Sequence, residues 1–225
     1  MTHRGDISPS SFQPARCYNT FMITSIIFDF GGVIAEEGFK EGLCAIGARN
    51  RLDPERFFVV ARELIYETGY ITGHTPERAY WDAVRRTTGV QSADVDLREE
   101  IISRFILRPD MLDEADRLWT HGLEVGILSD QTDWLDEIEN ATRFSRHFDR
   151  VLNSYHLGKS KRDPSLFHDV AVRLHRKPEE IQFIDDNENN VKTAAAQGWN
   201  AMHFRDIESF KRELAHVLPR PDMVQ

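Results

Sequence analysis

The stretch SIIFDFGGVI, residues 25–34, ends an apolar run on one carboxylate, Asp29, and follows it at once with Gly31 and Gly32. A carboxylate at the end of a buried strand can serve as a nucleophile or a metal ligand. Two glycines beside it allow a sharp turn whose N–H groups can face an anion. Three more polar sites follow in order. GILSD offers Ser129, whose hydroxyl can donate to a phosphoryl oxygen. LGKSKRDP offers Lys159 and Lys161, either of which can neutralise charge on a transferring phosphoryl group. FIDDN offers Asp185 and Asp186, a pair suited to a hard, oxygen-liganded cation such as Mg²⁺. Each site alone has a plain reading as a helix cap, a surface lysine or a turn. Four in sequence, all at strand ends, point to phosphoryl chemistry.

The elements that must hold these residues are legible as short apolar runs at 23–28, 123–128, 181–184 and 201–204, with a weaker one at 150–153. They alternate with helical patterns, which predicts an α/β fold with a Rossmann-like parallel sheet. Ligands of such sheets bind at the C-terminal ends of the strands, where the four sites fall. Thr75 before Pro76 and Asp163 before Pro164 read as N-caps with proline in the first turn. Asn187 reads as the cap of a helix that stops at Gly198. The stretch 37–105 is helical almost throughout and far longer than a simple crossover needs, so it reads as an inserted helical cap domain. The core is then 22–36 and 106–225, and residues 1–21 read as a disordered tail.

Composition narrows the function. With 40% hydrophobic and 29% charged residues the chain is globular rather than disordered. Lysine plus arginine number 28 against 37 acids, a net charge of −9, which argues against a nucleic-acid partner. No run approaches the ~18 apolar residues of a membrane span. Cys17 and Cys44 form no metal-binding spacing, and two isolated thiols fit a reducing cytoplasm. Cys44, inside a helical apolar pattern, reads as a buried small hydrophobe.

The ordered motifs IIFDFGGVI, ILSD, GKSKRDP and FIDDNENN resemble those of the haloacid dehalogenase (HAD) superfamily, over about residues 22–205. The branch most similar holds small phosphatases and the phosphatase-like domain of epoxide hydrolases. The resemblance implies a Mg²⁺-dependent phosphomonoesterase acting on a small phosphorylated metabolite, as a monomer or homodimer. Asp29 would form an aspartyl-phosphate, and Lys161, preferred over Lys159 by its distance from Pro164, would pair with it. Gly31, Gly32, Ser129 and Asp130 would surround the phosphoryl group. Mg²⁺ would bind Asp29, the Gly31 carbonyl and Asp186, with Asp185 as a further ligand or one layer behind.

Gly31 stands where the family carries a second aspartate that protonates the leaving group. Loss of such a group costs about 10²–10⁴-fold in rate. Glu36, Glu37, Tyr66, Tyr70 and His74 are candidates to replace it, each with a plainer structural reading. Substrates with good leaving groups, acyl phosphates or sugar 1-phosphates, would need it least. Two other readings follow: a phosphate-binding or regulatory protein with weak catalysis, or a dehalogenase. Tyr66, Tyr70, Tyr80 and Trp81 read as packing of the helical insertion rather than a pocket wall. Arg49, Arg51, Arg85 and Arg86 read as surface charges, and Arg162 as a change without effect on the chemistry.

Overall fold

The computed structural model describes residues 22–217, so the reading of 1–21 as a disordered tail lies outside the described residues, as does Cys17. β1 (Ser25–Phe28) occupies the middle of a five-stranded parallel sheet. β2 (Glu124–Ser129) and β3 (Arg150–Asn153) lie on one side, β4 (Ile181–Asp185) and β5 (Asn200–His203) on the other, in the order β3-β2-β1-β4-β5. β1 is fully buried along SIIF, as a central strand covered on both faces must be. The order reverses at β1, so the crevice between its end and its neighbours is the expected ligand position. The register brings Phe28 beside Ile127 and Ile184, so Asp29, Ser129 and Asp185 leave the sheet along the same edge.

Between β1 and β2 the chain forms α1 (Gly38–Arg49), α2 (Pro54–Glu67), α3 (Glu77–Thr88) and α4 (Asp94–Ile102), then returns through α5 (Pro109–Thr120). α6 (Trp134–Thr142), a short α7 (Ser154–Leu157), α8 (Ser165–Leu174), α9 (Glu188–Ala196) and α10 (Ile207–Val217) complete the helices. One apolar cluster runs through both the sheet and the inserted helices, including Ile26, Phe28 and Ile127 with Leu43, Phe57 and Trp81. At the seam Trp81 stacks on Trp134 of α6 with centroids 5.9 Å apart. The Tyr70 hydroxyl donates to Asp133 at 2.5 Å, and Ser154 donates to the Ile71 carbonyl at 2.7 Å.

The helix signals hold with two adjustments. Asn187 caps α9 by accepting from the Asn189 N–H, and Gly198 just beyond α9 has φ +86°. α3 starts one residue later than the sequence suggests: Pro76 is in the extended cap conformation, and the Thr75 hydroxyl donates back to the Thr68 carbonyl instead. α8 also begins after its proline, with Asp163 accepting from the Ser165 N–H. Cys44 is half-buried rather than buried, because its thiol faces Glu55.

Candidate active site

Asp29 is the first residue past β1, and its N–H still donates to Ile184 of β4 at 2.8 Å. That bond holds the backbone in sheet geometry while the side chain turns into a cavity of about 440 Å³. Gly31, Ser129, Asp130, Lys161 and Asp186 line the same cavity, so the four separate motifs converge. The ammonium of Lys161 donates to Asp29 at 2.8 Å and to Asp185 at 2.7 Å. Lys161 is 1% exposed and Asp185 fully buried, so this is a desolvated bridge rather than a surface pair. Burial alone would lower the Lys161 pKa, but Asp185, Asp29 and Asp130 outweigh it and keep the amine charged. Lys159 is elsewhere, bonded to Asp169 at 2.5 Å and to Ser165.

Oxygens of Asp29, Asp185 and Asp186 all lie within 4.8 Å of one another. Burial raises the Asp29 carboxyl well above its ordinary range; Lys161 opposes this, and Asp185 and Asp186 add to it. Asp186 is raised by burial and then by Asp185. Such a group of hard oxygen donors, with one lysine to balance it, has the chemistry of a Mg²⁺ site. Asp185 is the least available member, since it also accepts from the Asn187 N–H at 2.7 Å and from the Asn190 amide. Asp186 has its own requirement. A Cβ on Gly32, which sits at φ +77°, would lie 2.1 Å from Asp186 Oδ2. Only glycine permits both that backbone and that approach.

Asp130 is committed to the scaffold. One oxygen accepts from the Lys161 N–H at 2.8 Å, the other from the Tyr66 hydroxyl at 3.1 Å. Arg162 has a structural place here that the sequence does not show: its guanidinium stacks 3.5 Å from the Tyr66 ring and pairs with both oxygens of Glu63. The Lys161 loop is thereby clamped to α2. Tyr70, Tyr80 and Trp81 are fully buried, as the sequence pattern suggests, whereas Tyr66 lines the cavity.

The five candidates for proton transfer separate cleanly. Glu36 turns away to Arg108, at 2.8 Å, outside this cavity. Tyr70 is buried against Asp133, and His74 bonds to Thr72. Tyr66 and Glu37 face the cavity. Sequence reasoning missed the cavity wall formed by Phe39, Lys40, Phe58, Arg62 and Phe105, and His203 on the opposite side. None has a motif: the packing of the insertion brings the first five together, and His203 comes from the end of β5. Arg49 and Arg85 instead form ion pairs with Glu100 and Asp94.

The chain is similar to several known proteins. Bifunctional epoxide hydrolase 2 of Rattus norvegicus is 32% identical over 126 residues, covering 53% of this chain and 22% of the relative. Flavin mononucleotide hydrolase 1 of Arabidopsis thaliana is 26% identical over 121 residues, covering 54% of this chain and 49% of the relative. The chain therefore spans at most about half the length of these curated relatives. A HAD family enzyme of Bacteroides thetaiotaomicron superposes with a TM-score of 0.69 at 22% identity, over 86% of this chain and 98% of that one. The same enzyme solved with magnesium and inorganic phosphate gives 0.64 at 21% identity, over 84% and 98%. The family model described as haloacid dehalogenase-like hydrolase matches residues 23–198. By that match, with the parallel sheet and its convergent strand-end motifs, the chain belongs to the haloacid dehalogenase-like hydrolases.

Proposed function

We propose that the protein is a Mg²⁺-dependent phosphomonoesterase that hydrolyses a small phosphorylated metabolite through a phosphoryl group carried on Asp29. The observation that carries this reading is the Lys161 bridge, 2.8 Å from Asp29 and 2.7 Å from Asp185, at the floor of a cavity shared with Ser129 and Asp186. The bound magnesium and phosphate of the Bacteroides enzyme, and the hydrolase activity named for the Arabidopsis relative, support the same class of chemistry.

Asp29 attacks phosphorus in line, and the bond to the leaving oxygen breaks as the new one forms. Lys161 stays charged and balances the phosphoryl oxygens, while Asp185 keeps its ammonium pointed at Asp29. Ser129 and the Gly31–Gly32 turn hold the phosphoryl group. Mg²⁺, held by Asp29, Asp186 and the Gly31 carbonyl with Asp185 behind or beside them, would offset negative charge on the same oxygens when bound. Water then attacks the phosphoryl group and regenerates Asp29. The helices of 37–105 act as a cap, with Phe39, Phe58, Tyr66 and Phe105 giving the substrate an apolar wall and Lys40 and Arg62 an anion-friendly rim.

A panel of phosphorylated metabolites, assayed with Mg²⁺ and with chelator, tests this reading. Turnover should require the metal and vanish in Asp29→Asn with the circular dichroism spectrum unchanged. Full activity in that variant would rule out the mechanism. Binding of Mg²⁺ and phosphate without turnover across the panel would instead favour a non-catalytic phosphate-binding protein.

A further inference from the structure

We propose that Glu37 is the proton-transferring residue of this site, occupying the space that Gly31 leaves open. The inference rests on the phosphatase reading above and adds the group that reading lacks.

Glu37 is the N-cap of α1, at the junction of sheet and insertion. Its two oxygens face different ways. Oε1 accepts from the Lys40 N–H at 3.3 Å. Oε2 lies 3.4 Å from the point where a Cβ on Gly31 would stand, and Phe105 is equally close to that point. Gly31 is not at positive φ, so its lack of a side chain answers to space and not to backbone strain. Phe105 also presses on Gly38, where a Cβ would fall 2.7 Å from its ring. The Phe105 ring is thus close to both Gly31 and Gly38.

Most other acids around the cavity, and His203, have other commitments. Asp29 and Asp185 hold Lys161, and Asp130 accepts from Tyr66 and the Lys161 N–H. Glu188 pairs with Lys192, and His203 is bonded to the Asp186 carbonyl. Among the described residues no lysine, arginine or histidine forms an ion pair with Glu37. With Asp186 in the carboxylate cluster that would hold the metal, Glu37 is the remaining cavity carboxyl that serves no cation, and it stands beside Gly31.

The two half-reactions balance through it. As Asp29 bonds to phosphorus, the P–O bond to the leaving group breaks, and that oxygen takes its electron pair and the proton of the Glu37 carboxyl, departing as an alcohol. The Glu37 carboxylate then removes a proton from the attacking water. Its oxygen bonds to phosphorus, and the P–O bond to Asp29 breaks. Phosphate leaves, Asp29 is again a carboxylate and Glu37 again a carboxylic acid.

The test uses the full chain with Mg²⁺, phenyl phosphate and 4-nitrophenyl phosphate. Glu37→Gln keeps the Oε1 cap, so a merely structural role would leave both rates near wild type. We expect kcat on phenyl phosphate to fall by about 10²-fold or more with KM little changed. On 4-nitrophenyl phosphate, which needs little help at departure, a burst of nitrophenol should precede slow turnover, with phosphate trapped on Asp29 by mass spectrometry. Gly31→Asp/Glu37→Ser should recover at least about tenfold of the loss, since serine still caps α1 and vacates the space for the new carboxylate. Glu36→Gln, paired outside the cavity, should behave as wild type. Wild-type rates in Glu37→Gln would overturn this proposal alone. Absence of metal-dependent turnover in the unmodified protein on these esters and on the metabolite panel would overturn the phosphatase reading and this proposal together.

Discussion

Lys161 and Asp185 face each other at 2.7 Å with almost no solvent access to either. Removing the amine leaves buried carboxylates uncompensated. Lys161→Met should therefore cost about 3–5 kcal/mol, the scale for breaking a buried ion pair by removing one partner. The loss should be greater at pH 8 than at pH 5, where the surplus carboxylates can take up protons. Urea unfolding at both pH values checks this. An equal loss at each would mean that packing of the lysine stem, and not its charge, holds this centre.

Gly32→Ala should remove activity at a site with no ionisable side chain. The methyl group would meet the Asp186 carboxylate at 2.1 Å, and the backbone at φ +77° adds roughly 1–2 kcal/mol of strain. Asp186 must move, and Mg²⁺ binding should weaken with it. Calorimetric titration with Mg²⁺ measures the effect, and unchanged affinity would show that Asp186 has no part in holding the metal.

Tyr66→Phe deletes the hydroxyl that joins the insertion to Asp130 and hence to the Lys161 loop. A loss of about 0.5–1.5 kcal/mol is expected for one hydrogen bond, with substrate KM rising more than kcat falls. Arg162→Ala removes the guanidinium stacked on the same ring, and the pair should be non-additive, as neighbours in one network are. Strict additivity in the four-variant cycle would break the proposed chain of contacts.

Glu37 supplies a pH signature in the metal-free protein. Burial, followed by repulsion from Asp186, raises its carboxyl from 4.5 to about 7. Between those values the folded chain holds a proton that the unfolded chain has lost, so its contribution to stability falls as pH rises. Glutamine does not titrate. In chelator, Glu37→Gln should thus gain on the wild type in Tm from pH 5 to pH 8, and the gain should flatten above pH 7. A constant Tm difference across that range would contradict the placement of this carboxylate.

Much of this was legible in the chain because it depends on local grammar. β1, β2 and β4 are apolar runs that terminate on their polar residues, and Asn187 and Gly198 bracket α9 as caps do. The neighbours of Gly31 were not legible. Glu36 and Glu37 are adjacent acids, and only the turn between Ala35 and α1 sends one toward Arg108 and the other into the cavity. Lys40, Phe58 and Arg62 carry no signature, because the crossing of α1 and α2 sets their common face. Tyr66 parts from Tyr70, Tyr80 and Trp81 for the same reason: helical spacing defines a stripe, and the tertiary contact decides which end of it meets solvent.

The Trp81–Trp134 stack has a mechanical consequence. Those rings belong to an apolar mass continuous from the sheet into the inserted helices, so swinging the insertion away as a rigid flap would wet them all at once. Traffic through the cavity must use its perimeter, where Lys40 and Arg62 can swivel at little cost, and heating should melt both layers in a single cooperative step.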